Sequence, residues 1–254
     1  MDKVIIKVRD LAKSYGELQV LKGLSLDIYE GETLVILGRS GVGKSVLLRQ
    51  LIGIEKPDKG TVEVKGIQIA TLSETERAKA IKDMGMLFQS AALFDSLTVG
   101  ENIAFYLTEH RNELSVKEIK DRVSHALKMV GLQGTENKMP SDLSGGMRKR
   151  AGLARLIVYR PQILLYDEPT TGLDPITAEQ INQLINQTKR ELKATSIVVT
   201  HDIHSALTVG DRLAFHHDGK LIHIAKKEEF FKIDDPLLQA FLKNAMVKGL
   251  TDGY

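Results

Sequence analysis

Cysteine is absent from the 254 residues of this sequence, and its absence excludes several kinds of site together. Disulfides, thiolate metal sites and cysteine nucleophiles all require the thiol that this chain lacks. The chain also has no apolar run near the ~20 residues that a helix needs to span a bilayer. Its first ten residues are interrupted by charge and cannot act as a signal peptide. We therefore expect a cytosolic protein that reaches a membrane only through a partner.

An excess of charge of either sign is missing as well. The sequence has 35 lysine and arginine residues against 33 aspartate and glutamate residues. Because these charges nearly cancel, no field of the whole chain attracts nucleic acid or an anionic membrane surface, and we expect no nucleic-acid partner. The length suffices for one large domain, or for a domain with an inserted lobe.

A glycine-rich loop stands between a predicted buried strand, residues 33–37, and a predicted helix that continues through residue 51. Strand, loop and helix in this order are the context that a phosphate-binding P-loop requires. Glycines let backbone N–H groups turn toward phosphate oxygens, and the helix N-terminus adds a positive dipole end. Lys44 is expected to reach the β- and γ-phosphates of a nucleotide, and Ser45 to ligate Mg²⁺. The predicted nucleotide-binding loop comprises Gly38, Arg39, Ser40, Gly41, Val42, Gly43, Lys44, Ser45 and Val46.

Two adjacent carboxylates, Asp167 and Glu168, follow a second predicted buried strand, residues 163–166. Neighbouring carboxylates at a strand end are costly unless one serves a metal and the other a proton. We expect Asp167 to make an outer contact to Mg²⁺. We expect Glu168 to act as the general base that orients or deprotonates the water attacking the γ-phosphate.

A Leu-Ser-Gly-Gly turn, residues 143–146, lies between these two motifs. Ser144 is predicted to cap a helix over residues 147–158, and Gly145 and Gly146 leave backbone N–H groups open at its start. The turn therefore suits a second anion site. Most of the cations that follow it are expected to be solvated charges of the helix surface, with phosphate contact as the alternative: Arg148, Lys149, Arg150 and Arg155.

Four further side chains have ordinary structural interpretations when each is considered alone. Tyr15 is typical of packing at a strand end, and Gln89 is typical of a loop. Asp174 is predicted to cap the helix that runs through Leu192. His201 follows a predicted strand, at the edge where open α/β sheets bind ligands, although a lone histidine is usually structural.

The order of the P-loop, the Leu-Ser-Gly-Gly turn and the Asp-Glu pair resembles that of the ABC transporter ATPases, from Tyr15 to about Ala225. The resemblance implies an α/β fold, with a P-loop (RecA-like) ABC ATPase core, an antiparallel β subdomain and an inserted α-helical subdomain at about residues 91–157. It also implies a single nucleotide-binding domain at residues 1–225 and a C-terminal extension at residues 226–254.

The same resemblance implies that the chain binds ATP with Mg²⁺ and gives each of the four side chains a role. Tyr15 is expected to stack on adenine, Gln89 to contact Mg²⁺ and the attacking water, and His201 to contact the γ-phosphate. Asp174 is expected in a loop that meets the opposite subunit. The segment Ser144–Gly146, here called the signature turn, is expected to bind the ATP held by a second copy, so that two chains form a homodimer.

A narrower likeness is to the ATP-binding subunits of MCE-type phospholipid transporters, the MlaF type. Residues 88–99, 143–155 and 235–242 carry it, with Met147 at a position where the wider family has glutamine. It implies a peripheral homodimer at the cytoplasmic face of the inner membrane, beneath an integral membrane permease. The implied partners are an MCE-domain lipid-binding protein and a small STAS-domain subunit, and the implied function is phospholipid transport between the inner and outer membranes. A small-solute importer ATPase and a soluble non-transport ABC ATPase are the alternatives.

Two segments each keep two interpretations. Residues 90–94 are apolar for a loop, and they either pack in the core or form a docking groove for a helix of a membrane partner. The C-terminal extension, residues 226–254 and here called the tail, is predicted to form one or two short amphipathic helices. These helices either pack on their own domain or form an arm to a partner subunit. Because a complete site needs two chains and the partners, we expect the isolated subunit to be a weak or unstable dimer.

Overall fold

The computed structural model describes residues 3–111 and 113–251, which form two β-sheets and the helices around them. The strands are β1 (Val4–Tyr15), β2 (Leu18–Tyr29), β3 (Thr33–Leu37), β4 (Lys59–Val64), β5 (Ile67–Gln68), β6 (Met84–Leu87), β7 (Ile163–Asp167), β8 (Thr195–Thr200), β9 (Arg212–His217) and β10 (Lys220–Lys226). The helices are α1 (Lys44–Leu51), α2 (Glu74–Ala80), α3 (Val99–His110), α4 (Val116–Met129), α5 (Gly145–Ile157), α6 (Pro175–Leu192), α7 (Ile203–Val209), α8 (Lys227–Phe230) and α9 (Pro236–Thr251).

The larger sheet has the strand order β10-β9-β3-β8-β7-β6, and its strands from β9 to β6 run parallel. The smaller sheet, β2-β1-β4-β5, is antiparallel. Carboxyl ends of parallel strands meet at one edge of a sheet, so the loops after β3, β6, β7 and β8 gather there. The predicted α/β class, with a second antiparallel sheet, is confirmed.

Both faces of the larger sheet are buried at its central strands β3, β7 and β8, which explains the nearly continuous apolar runs of these strands. Along β3, Leu34 and Ile36 face a core shared with the antiparallel sheet and α1. Val35 and Leu37 face a second core that includes residues of α3 to α7 and α9. Alternate residues of one short strand thus hold two layers together.

The first hairpin is longer than the sequence pattern predicts. Residues 3–9 and 24–28 are the predicted strands, whereas β1 and β2 each extend over 12 residues to a turn at Gly16 and Glu17. The pairing register shifts between Val8 and Leu11, and Asp10 between them has φ +48°. Such a bulge moves the buried positions by one residue, so the alternation that marks a strand is interrupted although the strand continues.

Helices α3, α4 and α5 lie between β6 and β7 in the chain and pack against one another. A capping box of Ser115 and Glu118 is present at the start of α4. Val123, Ala126 and Leu127 form the buried face of that helix. A hairpin with its turn at Asp218 and Gly219 joins β9 and β10. In the part of the chain described, no helix is long and apolar enough to cross a membrane.

The tail packs on the rest of the chain through α8 and α9. Phe230, Leu238 and Leu242 are buried in the same core as the helices, and the rings of Phe241 and Phe215 lie 5.2 Å apart. These contacts favour the first interpretation of the tail, packing on its own domain. The division of the chain at residue 225 stays a prediction.

Replacement of adjacent leucines in α9 tests this packing. Leu238→Ala is expected to lower the free energy of unfolding by about 2–5 kcal/mol, because the side chain is fully buried. Leu237→Ala, in which a 51% exposed side chain is shortened, should change it by less than about 0.5 kcal/mol. Urea denaturation of both variants measures the difference. Equal effects would contradict the packing of the tail on this domain.

Candidate active site

The glycine-rich loop wraps around the side chain of Lys44. Gly43 has φ +101° at the start of α1, a conformation that favours glycine. The ammonium of Lys44 is buried and donates hydrogen bonds to the carbonyls of Gly38 (2.8 Å) and Arg39 (2.9 Å). A Cβ atom on Gly38 would lie 2.5 Å from the carbonyl oxygen of His216, so β9 leaves no room for a side chain there. The loop is therefore shaped by glycine at both of its ends.

Glu168 joins the glycine-rich loop to His201, which follows the neighbouring strand β8. Its Oε1 lies 3.1 Å from Lys44 Nζ, and its Oε2 lies 2.8 Å from His201 Nδ1. The hydroxyl of Thr171 donates to the same Oε2 at 3.0 Å. Glu168 itself has φ +47°, a strained backbone for a residue with a side chain. Lys44 of the glycine-rich loop, His201 after β8 and Thr171 after β7 thus all contact the same carboxylate.

Electrostatics in this cluster favour the charged forms. Burial raises the pKa of Glu168, but the hydrogen bond from His201 and the charge of Lys44 outweigh it and lower the pKa to about 2. The hydrogen bond to Glu168 in turn raises the pKa of His201. In this arrangement Glu168 is a poor proton acceptor, and it becomes a better one only when Lys44 and His201 turn to another anion.

Asp167 and Ser45 offer oxygen ligands next to this cluster. The Ser45 hydroxyl donates to Asp167 Oδ1 at 2.7 Å, and burial raises the pKa of Asp167. Gln89 lies at the same cleft and adds an amide oxygen. Hydroxyl, carboxylate and amide oxygens fit Mg²⁺. Among residues 3–111 and 113–251, no group of three or more His, Cys, Asp or Glu side chains is arranged to hold a metal ion.

A cleft of about 390 Å³ opens above these residues at the carboxyl-end edge of the sheet. Tyr15 is 45% exposed on its rim, where its hydroxyl hydrogen-bonds to Glu55. Val20, Arg49 and Thr171 also line the cleft, and no motif in the sequence marked them. The predicted residues that line it are Tyr15, Ser40, Gly41, Gly43, Lys44, Ser45, Val46, Gln89, Glu168 and His201.

The signature turn lies in a separate pocket of about 260 Å³, which shares no lining residue with the cleft. Ser144 caps α5 by accepting a hydrogen bond from the Met147 N–H at 3.3 Å. A Cβ atom on Gly146 would lie 2.6 Å from Thr177 Cγ2, so glycine is required for this packing. Asp174 lines the same pocket and caps α6, as predicted, by accepting from the N–H groups of Ile176 and Thr177. The turn and Asp174 are thus brought together, away from the chain's own P-loop.

The expectation of solvated cations on α5 is wrong for Lys149 and Arg155. Lys149 is only 6% exposed, and its ammonium donates to the carbonyls of Gln89 (2.5 Å) and Glu168 (3.2 Å). Arg155 donates to the carbonyl of Ala92 at 2.6 Å. Both cations face the loop after β6 because α5 packs directly against it. Arg148 is exposed, in agreement with the expectation.

Comparisons with known proteins find relatives that match most of this chain. A family model described as "ABC transporter" matches residues 21–171. The protein TRIGALACTOSYLDIACYLGLYCEROL 3, chloroplastic, of Arabidopsis thaliana is 40% identical, over 96% of this chain and 74% of its own. The intermembrane phospholipid transport system ATP-binding protein MlaF of Haemophilus influenzae is 38% identical, over 96% of this chain and 92% of its own. The methionine import ATP-binding protein MetN of Clostridium tetani is 37% identical, over 89% of this chain and 71% of its own.

Solved structures resemble the chain over most of its length. The ATP-binding cassette MJ0796, solved as a dimer in a post-hydrolysis state with ADP and Pi, has a TM-score of 0.81 at 35% identity. That match covers 87% of this chain and 98% of the cassette. CbiO1 of Clostridium perfringens, part of the ABC transporter complex cbiONQ, has a TM-score of 0.82 at 31% identity. That match covers 99% of this chain and 100% of the CbiO1 chain.

The pKa shifts predict how Glu168→Gln changes stability with pH in the nucleotide-free chain. The pKa of Glu168 falls from 4.5 to about 2, so its contribution is present above pH 4.5 and is lost as the pH falls toward 2. The pKa of His201 is raised above 6.5, so its contribution is complete below pH 6.5 and is lost as the pH rises through the raised value. The loss of unfolding free energy in the variant should therefore be largest between pH 4.5 and 6.5.

Urea denaturation across this pH range gives the measurement. Glu179→Gln is the matched control, because it removes an exposed pair with His204 rather than a buried one. Its effect should be small at every pH, since exposed ion pairs are screened by solvent. A destabilisation by Glu168→Gln that does not vary with pH would rule out the electrostatic account of the cluster.

Proposed function

We propose, from the premise that this chain belongs to the ABC transporter family, that its ATP hydrolysis drives phospholipid transport between the inner and outer membranes through a separate permease. The chain is the ATPase subunit of a transporter. The observation that supports the phospholipid cargo is similarity over nearly the whole chain to a protein named for intermembrane phospholipid transport. The Arabidopsis relative, whose name is that of a galactolipid, supports a lipid cargo in the broader sense.

Hydrolysis is proposed to begin with an exchange of partners at Glu168. The γ-phosphate of ATP enters the cleft and accepts the hydrogen bonds of Lys44 and His201, which hold Glu168 in its absence. The freed carboxylate then accepts a proton from the water that attacks the γ-phosphorus, and the bond to the leaving ADP oxygen breaks. Mg²⁺, held by Ser45 and Gln89 with Asp167 as an outer contact, would offset the negative charge of the phosphates.

A complete site is proposed to need two chains. The signature turn and Asp174 lie in a pocket distinct from the cleft, so they are open to the nucleotide of a second copy. Backbone N–H groups at the start of α5 suit the γ-phosphate of that nucleotide. The dimeric cassette with bound ADP and Pi supports a homodimer of this kind. Tyr15 would stack on the adenine at the rim of the cleft.

An apolar groove beside Gln89 is the proposed site for a helix of the permease. Residues 90–94 fit core packing in part and a docking groove in part. Ala91 is buried, whereas Phe94 is 43% exposed. Phe105, which is 40% exposed, lies with its ring 4.8 Å from that of Phe94. Arg155 lies over the Phe94 ring at 5.6 Å. Exposed aromatic patches mark interfaces, so a helix of the permease is proposed to bind here. A movement of the Gln89 loop would then displace that helix.

The partners and location follow from the narrower likeness. We propose a peripheral homodimer at the cytoplasmic face of the inner membrane, with an integral permease, an MCE-domain lipid-binding protein and a small STAS-domain subunit. A small-solute importer is the second candidate, and it is favoured by the similarity to a methionine import protein.

A pull-down of tagged Glu168→Gln protein from its native membranes with Mg-ATP separates these candidates. The variant should bind ATP but hydrolyse it roughly a hundredfold or more slowly, because the general base is lost. The ATP that stays bound should then keep the assembly closed. Mass spectrometry should then identify a permease, an MCE-domain protein and phospholipid. Lys44→Met, which removes the phosphate-binding cation, should recover none of these in an ATP-dependent manner.

Two outcomes would count against the proposal. A permease recovered with a periplasmic solute-binding protein, and without phospholipid, would favour the importer and contradict the lipid cargo. The recovery of no membrane protein would contradict the proposed partners.

A further inference from the structure

Lys149 is a buried cation that the hydrolysis scheme above does not use. It lies on α5, the helix that begins at the signature turn. Its hydrogen-bond partners are two backbone carbonyls, those of Gln89 and Glu168, rather than the oxygens of a carboxylate. A buried charge is costly unless its contacts are specific, so a cation at this position needs an explanation.

The two carbonyls belong to the two loops that are expected to act on the attacking water. Gln89 follows β6 and Glu168 follows β7, and these strands are direct neighbours in the sheet. The backbone of Glu168 has φ +47°, which is costly for a residue with a side chain. A hydrogen bond to the carbonyl of Glu168 helps to hold this conformation. Lys149 is thus in contact with both loops at once.

Tight packing makes α5 and the loop after Gln89 a single unit. A Cβ atom on Gly152 would lie 2.9 Å from Ala91 Cβ and 3.0 Å from Leu87 Cδ1, so the helix backbone touches the loop. Arg155 adds hydrogen bonds to the carbonyls of Ala91 (3.3 Å) and Ala92 (2.6 Å). Because close-packed interiors deform little, a displacement of the start of α5 must be passed to this loop.

We propose that Lys149 is a positioning residue that links the signature turn to the two catalytic loops of its own chain. In the homodimer, the signature turn of one chain meets the ATP of the other, while Lys149 holds the Gln89 and Glu168 carbonyls that flank its own ATP. Engagement of one ATP would therefore adjust the geometry around the second. This inference rests on the proposed roles of Gln89, Glu168 and the signature turn.

Lys149→Met tests the link, because methionine has a similar length but neither charge nor an N–H donor. In the purified assembly of this chain with its permease, where two copies are held together, kcat for ATP should fall by roughly tenfold or more, since small misplacements of catalytic groups are costly. The Kd for Mg-ADP should stay within about twofold, since Lys149 lies outside the phosphate-binding loop. The Hill coefficient for ATP should fall toward one, because the two sites no longer influence each other.

Three further variants separate this link from a general loss of structure. Lys128→Met makes the same chemical change on the exposed surface of α4 and should leave kcat and the Hill coefficient unchanged. Lys149→Arg keeps the charge and the donor, and it should recover activity relative to Lys149→Met at the same melting temperature. Glu168→Gln should be inactive whether or not the link exists.

The outcomes are distinguishable. Normal kcat and cooperativity in Lys149→Met, with Glu168→Gln inactive, would overturn the link alone. A loss of kcat that is matched by a loss of Mg-ADP binding and of thermal stability would also overturn it, because Lys149 would then be merely structural. A Hill coefficient of one in the assembly that contains the unmodified chain would contradict the communication between sites. Normal hydrolysis by Glu168→Gln would instead refute the proposed catalytic roles.

Discussion

The buried ion pair of Lys44 and Glu168 is the interaction on which the rest of the site depends. Both side chains are almost fully removed from solvent, so neither charge is tolerable there without the other. The pair ties the P-loop after β3 to the end of β7, and His201 extends the tie to β8. Carboxyl ends of three adjacent strands are therefore fixed relative to one another by charge as well as by the sheet. In the proposed scheme, an entering phosphate replaces the carboxylate as the partner of both cations.

The antiparallel sheet completes the cleft from the side opposite to the helices. A Cβ atom on Gly43 would lie 2.6 Å from Val20 Cγ1, so β2 rests directly against the start of α1. The turn between β1 and β2 brings Tyr15 to the rim of the same cleft. The bulge at Asp10 bends β1 on the way to this position. In the proposed function the loop binds the phosphates, and the antiparallel sheet forms the wall of the cleft beside the rest of the nucleotide.

Contiguous motifs were predictable from the sequence because one short segment carries the whole local structure. The strand, loop and helix around Lys44, and the carboxylates after β7, are of this kind. Contacts between distant segments were not predictable, since they depend on how helices pack. Lys149 appears as one more surface cation in the sequence, and only the packing of α5 brings it to Gln89 and Glu168. Gly152, a glycine within a helix, was the available sign of a close approach.

The mutual neutralisation of Lys44 and Glu168 also limits the electric field that these two side chains project beyond the cleft. A cation that is already paired within the protein projects little field into solvent, and Ser45 occupies one oxygen of Asp167 beside it. This pair therefore adds little to the long-range attraction of a diffusing anion. In the proposed scheme, recognition follows entry, when a polyphosphate makes enough contacts to displace the carboxylate. Orthophosphate offers fewer such contacts and would displace the carboxylate less readily.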